Sequence, residues 1–236
     1  MFEIKSLTKA YVKGVNAVDD LSLTVNDGEI YGFIGHNGAG KSTTIKCMVG
    51  ALDFTQGEII LDGVSIKDNP VEYKKRIAYI QDNPELYEFM TGKKYLDFIA
   101  DIYGVGEERT ERIKKYAVSL EIENALGDYI SSYSHGMKQK LALISALIHE
   151  PKLLVLDEPF VGLDPKASHT LKQIMREFVQ KGTIIFFSTH VLEVAEKLCD
   201  KIAIIKNGKL IITGETEVVT KDASLEEVFL KTHQGE

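Results

Sequence analysis

One stretch, Gly35-His36-Asn37-Gly38-Ala39-Gly40-Lys41-Ser42, constrains this chain more than any other. It satisfies GxxxxGK[ST] in the context that motif requires, with a strand-like run (IYGFI) ending just before it and a helical pattern beginning at its end. That pattern places Ile45, Met48, Val49 and Leu52 at the i, i+3, i+4, i+7 spacing of one helical face. Glycines let the backbone curl into a nest of converging N–H groups. The helix behind adds about half a positive charge at its N-terminus. Such a loop takes phosphate oxygens. Gly35, His36, Asn37, Gly38, Ala39 and Gly40 supply main-chain groups, and Lys41 reaches the β/γ-phosphates. The Ser42 hydroxyl ligates Mg²⁺, and Thr43, next on the same helix start, belongs to the nucleotide-binding set.

The rest of the chain narrows the class. Its 236 residues fit one large domain or two small ones, and 44% hydrophobic content suffices for a buried core. Net charge is −7 and no long Lys/Arg block occurs, which argues against nucleic acid as the partner. The two cysteines, Cys47 and Cys199, lie far apart with no CxxC or Cys/His cluster, so they read as buried thiols in a reducing compartment. The first residues, Met-Phe-Glu-Ile-Lys, lack the apolar core of a signal peptide. The longest apolar run, LALISALI at 141–148, is far shorter than the roughly 20 residues of a membrane span. A soluble, cytoplasmic chain is the expectation.

Asp27-Gly28, Asp62-Gly63 and Asn207-Gly208 each separate two strand-like runs and predict three antiparallel hairpins. LLVL (153–156) and TIIFF (183–187) are continuously apolar, as strands covered on both faces of a parallel sheet must be. Helices are expected after residue 41, over 137–149 up to Pro151, and over 191–199. A further helix opens at Ser224, with Glu227 completing a capping box. Residues 85–133 read as mainly helical and charged. The expectation is an α/β fold in one unit: a core of residues 1–84 and 150–223 with an antiparallel β layer, a helical insertion at 85–149, and a C-terminal helix and tail at 224–236.

In LLVLDEP two carboxylates follow the buried run. At the carboxyl end of a parallel strand they face the edge where α/β sheets bind ligands. Asp157 suits Mg²⁺, through water, and Glu158 suits the general base that polarises an attacking water.

Together with the phosphate loop, the remaining motifs make the chain resemble the ABC ATPases along nearly its full length. The resemblance implies a P-loop core with a mainly parallel central sheet, an N-terminal antiparallel layer and a helical insertion. Tyr11 matches the aromatic that stacks on adenine; a tyrosine filling the small β layer is the alternative. Gln81, in IAYIQD, matches the glutamine that touches Mg²⁺ and reports on a transmembrane partner; an exposed loop glutamine is the alternative. YSHGM (133–137) occupies the place of the family's signature, LSGGQ, keeping Ser134 and Gly136. Asp164, followed by Pro165, matches a dimer-contact loop, although Asp-Pro also suits N-cap and N1 of a helix. His190 follows TIIFF at a helix start. Histidine is a poor N-cap, and the family role is a switch on the γ-phosphate.

What the resemblance implies is an ATP- and Mg²⁺-dependent ATPase, with catalytic Lys41, Glu158 and His190. It works as a head-to-tail pair with a second cassette, identical or closely related, because a signature at the far end of the helical lobe cannot serve its own Lys41. It powers transport through a separate permease at the inner face of the membrane. The signature variant and the SLEEVFL tail resemble exporter cassettes. Other readings are a non-transport ABC ATPase acting on ribosomes or DNA, or a small-molecule kinase.

Overall fold

The computed structural model describes residues 1–12 and 14–233. β1 (Phe2–Val12) and β2 (Val15–Val25) pair antiparallel, with Phe2 opposite Val25 and Ile4 opposite Leu23. Buried Leu21, Leu23 and Val25 alternate with exposed Ser22 and Thr24, so this ribbon covers the core with one face and meets water with the other. β3 (Ile30–Ile34), all five residues buried, runs into the phosphate loop and α1 (Lys41–Met48). β4 (Gln56–Leu61) pairs with the other edge of β1 and turns into β5 (Val64–Ser65), which completes a four-stranded antiparallel sheet ordered β2-β1-β4-β5.

After α2 (Pro70–Lys75) and β6 (Ile77–Ile80) come three helices, α3 (Gly92–Ile102), α4 (Arg109–Ser119) and α5 (His135–Leu147). Strand and helix then alternate through β7 (Leu153–Asp157), α6 (Pro165–Gln180), β8 (Ile184–Thr189), α7 (Leu192–Leu198) and β9 (Lys201–Lys206). A hairpin to β10 (Lys209–Glu215), a single turn α8 (Thr216–Val219) and α9 (Leu225–His233) follow. The second sheet has six strands, ordered β10-β9-β3-β8-β7-β6, parallel except between β9 and β10.

Successive side chains of a strand point to opposite faces, and here both faces are covered. Leu153, Val155, Ile184 and Phe186 enter the core between the two sheets. Their neighbours Leu154, Leu156, Ile185 and Phe187 enter the core beneath the helices. This two-sided burial accounts for the continuous apolar runs.

The Asp62-Gly63 and Asn207-Gly208 hairpins form. Asp27-Gly28 does not make one: β2 and β3 belong to different sheets, and the turn carries the chain between them. β3 is apolar on both faces, so it sits inside the parallel sheet, where β8 and β9 satisfy its two edges and the two cores cover its faces. Asp27 instead takes the N-terminal ammonium of Met1 at 2.5 Å and Lys152 at 2.9 Å. The helix after residue 41 is shorter than its periodicity suggests. It stops at Met48 because Gly50 turns left-handed at φ 66°, which leaves Leu52 in a bend, half-buried against the core. Ser224 caps α9, its Oγ accepting from the Glu227 N–H at 3.3 Å. Residues 234–236 of the expected tail lie outside the described residues. Cys47 and Cys199 are free and buried, and burial pushes both thiols up, Cys47 to about 11.

Candidate nucleotide-binding site

Sheet order brings distant motifs to one edge. β3, β8, β7 and β6 lie side by side with Ile34 opposite Thr189, Asp157 opposite Ser188 and Ile80 opposite Leu156. The segments leaving their carboxyl ends are the phosphate loop, His190, Glu158 and Gln81. That is the edge where open α/β sheets bind ligands.

The loop's shape depends on glycine at two positions in particular. Gly40 caps α1 at φ 109°, and a side-chain carbon there would stand 2.7 Å from the Ala17 carbonyl. Gly38 has φ 83° with open space around it. Both angles lie where L side chains are strained. The Gly208 N–H ties to the Ala39 carbonyl at 2.8 Å, fastening the loop to the β9–β10 turn. A cavity of about 210 Å³ results, lined by Ala17, His36, Asn37, Gly38 and Gly40 to Thr43. Buried Lys41 folds back, its Nζ donating to the Gly35 carbonyl at 2.6 Å and to that of His36 at 3.3 Å. Burial lowers its pKa, against the pull of Glu158 and Asp157. Ser42 is exposed beside it.

Asp157 is buried, and one of its oxygens accepts the Ser188 hydroxyl. Glu158 sits in the left-handed region at φ 51°, held by main-chain donation to the Ser188 carbonyl at 3.2 Å. Its carboxylate meets His190 Nδ1 at 3.0 Å. The sequence singled out Glu158 and His190 separately, and the structure joins them. Gln81, half-buried, directly follows β6. Ser42, Asp157 and Gln81 offer hydroxyl, carboxylate and amide oxygens, the hard donors that suit Mg²⁺ beside phosphates.

Tyr11 does not fill the β layer. Its ring is 61% exposed, with the hydroxyl 3.3 Å from Thr43 Oγ1 and the Lys9 ammonium 5.4 Å from the ring centre. An open ring next to the phosphate loop has the position a stacked base needs.

Ser134, Gly136 and Asp164 stand apart. Ser134 is the exposed N-cap of α5, and its Oγ accepts from the Met137 N–H at 3.3 Å. Gly136 lies in the first turn, where a side-chain carbon would crowd the Gly162 carbonyl at 3.1 Å. Asp164 does cap α6, accepting from the Ala167 N–H at 2.8 Å, and pairs with Lys140 at 3.0 Å. These bonds, the main-chain one first, lower the pKa of its carboxyl. None of the three bonds to the phosphate loop among the described residues. Sequence reading missed Ser188, Ala17, Lys9 and Lys140. Of these only Ser188 carried a signal, a hydroxyl ending an apolar strand two residues before His190.

A glycine nest with a buried lysine, and carboxylates on the next strand ends but one, define a P-loop nucleotide-binding protein. The comparisons make this specific. The ABC transporter family model matches residues 18–161. The ABC-type transporter ATP-binding protein EcsA of Bacillus subtilis is 35% identical, over 98% of this chain and 96% of its own. A solved ATP-binding subunit of an ABC transporter superposes with a TM-score of 0.95 at 36% identity, covering 99% of this chain and all of that one. A dimeric ATP-binding cassette, solved in a post-hydrolysis state with ADP and Pi, gives 0.83 at 23% identity over 92% of this chain and 99% of its own, a likeness of fold alone. The chain belongs to the ABC transporter family, among its ATP-binding proteins. No helix among the described residues is long and apolar enough to cross a membrane.

Proposed function

We propose that this chain is the ATP-hydrolysing motor of an ABC transporter, working as a head-to-tail pair of cassettes beneath a separate membrane permease and driving export. The observation that carries the reading is a division of labour. Lys41, Asp157, Glu158 and His190 gather at one sheet edge, while Ser134 caps, and Gly136 sits in the first turn of, a helix that bonds to none of them among the described residues.

In the proposed site the loop amides and Lys41 hold the triphosphate of ATP, and Tyr11 stacks on its base. Ser42, Asp157 and Gln81 would hold Mg²⁺, which when bound neutralises phosphate charge. Glu158 takes the proton of the water that attacks the γ-phosphorus as the bond to ADP breaks. His190, steered by Glu158, hydrogen-bonds the γ-phosphate and stabilises the charge that develops there. Ser134 and Gly136 of the second copy close the site, with Asp164 at the contact. A helix N-terminus suits that γ-phosphate, and losing it on hydrolysis frees the pair.

The permease's docking surface is assigned to the segment after Gln81. Tyr87, Phe89 and Phe98 are exposed there, the Tyr87 ring centre 5.8 Å from each of the other two, an apolar patch suited to a cytoplasmic helix. That similar proteins bear names such as ATP-binding subunit supports a permease on another chain. The direction, export, rests on the likeness of YSHGM and SLEEVFL to exporter cassettes.

Glu158→Gln keeps the shape and removes the base. With ATP and Mg²⁺ it forms a stable pair by sedimentation while the ATP-free protein does not. A variant that stays monomeric at high concentration with both present contradicts the reading.

A further inference from the structure

The first two turns of α5 grip the loop that joins β7 to α6. Gly136 lies under the Gly162 carbonyl, and Lys140 pairs with Asp164 at 3.0 Å. His135 and Gln139, four apart and so on one helix face, close over Gly162. A side-chain carbon at Gly162 would stand 2.8 Å from both the His135 ring and Gln139 Oε1. That loop begins at Glu158 and ends at Asp164, and it holds two residues in the left-handed region, Glu158 at φ 51° and Gly162 at φ 80°.

Gln139 is the odd member of this grip. It is 1% exposed, yet neither its amide nitrogen nor its amide oxygen has a hydrogen-bond partner among the described residues. Buried polar groups are normally paired, and an amide left unpaired destabilises the arrangement that leaves it so. Gly162 lies against this amide, and its missing side chain lets the two approach. In the same loop Glu158, at φ 51°, holds a conformation that a residue with a side chain keeps only where its surroundings hold it. An unpaired amide against a strained loop describes a contact with a second arrangement available.

We propose that Gln139 is a positioning residue for Glu158: when α5 engages a second copy's nucleotide, the Gln139 amide takes up a main-chain group of the Gly162 turn and sets the loop that starts at Glu158. Each cassette's base is then placed in response to the site its own signature closes on the other copy. The inference rests on the head-to-tail reading above, and it assigns Gln139 no contact with ATP or water.

The test compares the full-length chain carrying Glu158→Gln with one carrying Glu158→Gln and Gln139→Met, a replacement of similar length without hydrogen-bonding atoms. With ATP and Mg²⁺ both form the pair in sedimentation. Pairing slows hydrogen exchange at the amides of 158–164 by about tenfold more in the single variant than in the double. Without ATP the double variant melts at the same temperature or higher, because an unpaired amide has been removed. In the otherwise native chain Gln139→Met lowers kcat about tenfold while KM for ATP stays within about twofold. Equal protection in both variants, with pairing intact, overturns this inference and leaves the head-to-tail reading standing. So does a lower melting temperature with loop protection lost equally in the presence and absence of ATP, the mark of a purely structural contact. Failure of the Glu158→Gln chain to pair at all removes the head-to-tail reading, and this inference with it.

Discussion

The carboxyl edge of the six-stranded sheet and the N-terminus of α5 differ in how far one chain completes them. At the sheet edge three charged groups of the proposed machinery are engaged within the chain: Lys41 on the loop's own carbonyls, Asp157 on Ser188, Glu158 on His190. At α5 the cap serine is exposed and, among the described residues, hydrogen-bonds only within its own helix. A sheet fixes residues from distant parts of the sequence at adjacent strand ends, so its cradle is assembled by folding. A helix end offers donors in one direction, and what they meet must come from elsewhere. On the proposed reading, the contrast separates two half-sites that a second copy would join.

The largest expected effect breaks the assembled half. Lys41→Ala removes the charge that the proposed site directs at the β/γ-phosphates, and ATPase assays should show kcat down by about 10²–10³-fold. An unchanged rate would place the chemistry elsewhere.

A second prediction concerns the seam between helical lobe and core, where His149 stacks on Tyr103 at 3.8 Å and its Nε2–H donates to the Ile77 carbonyl at 3.2 Å. Burial lowers its pKa from 6.5 to about 4. Between those values the unfolded chain binds more protons than the folded one. Stability is therefore full above about pH 6.5 and falls as pH drops toward about 4, by up to about 3 kcal/mol from this group. Urea titrations across that window should show the slope, and His149→Phe, which still stacks, should flatten it. An equal slope in both proteins would assign the acid sensitivity to other groups.

The smallest effect sharpens the comparison at the rim of the cradle. Tyr11→Ala should raise KM for ATP about tenfold, as expected for one lost stacking contact, with kcat nearly unchanged. A fall in kcat instead would make Tyr11 a support for Thr43 rather than for a base.

The cradle was legible in the sequence because its chemistry is contiguous: GHNGAGKS folds on itself, and LLVLDEP carries its carboxylates at the end of its own strand. Local signals failed where a distant partner decided the outcome. Asp27-Gly28 marks a turn but cannot say which sheet the next strand joins, and Leu52 continues a periodicity that Gly50 ends. The signature was legible only by resemblance, since a serine before a helix suits any N-cap. The grip of His135 and Gln139 on Gly162 was not legible at all. It joins residues more than twenty apart through the absence of a side chain, which no pattern in the sequence marks.

The most direct test of the shared site mixes two disabled chains. Lys41→Ala has a broken cradle and an intact signature, and Ser134→Arg has the reverse. Each alone should be nearly inactive. Mixed in equal amounts, half the pairs are hybrids with one intact site of two, so ATPase activity should return to about a quarter of the native rate. No recovery on mixing, with hybrid pairs present in solution, would mean that each chain completes its own site and would contradict the account.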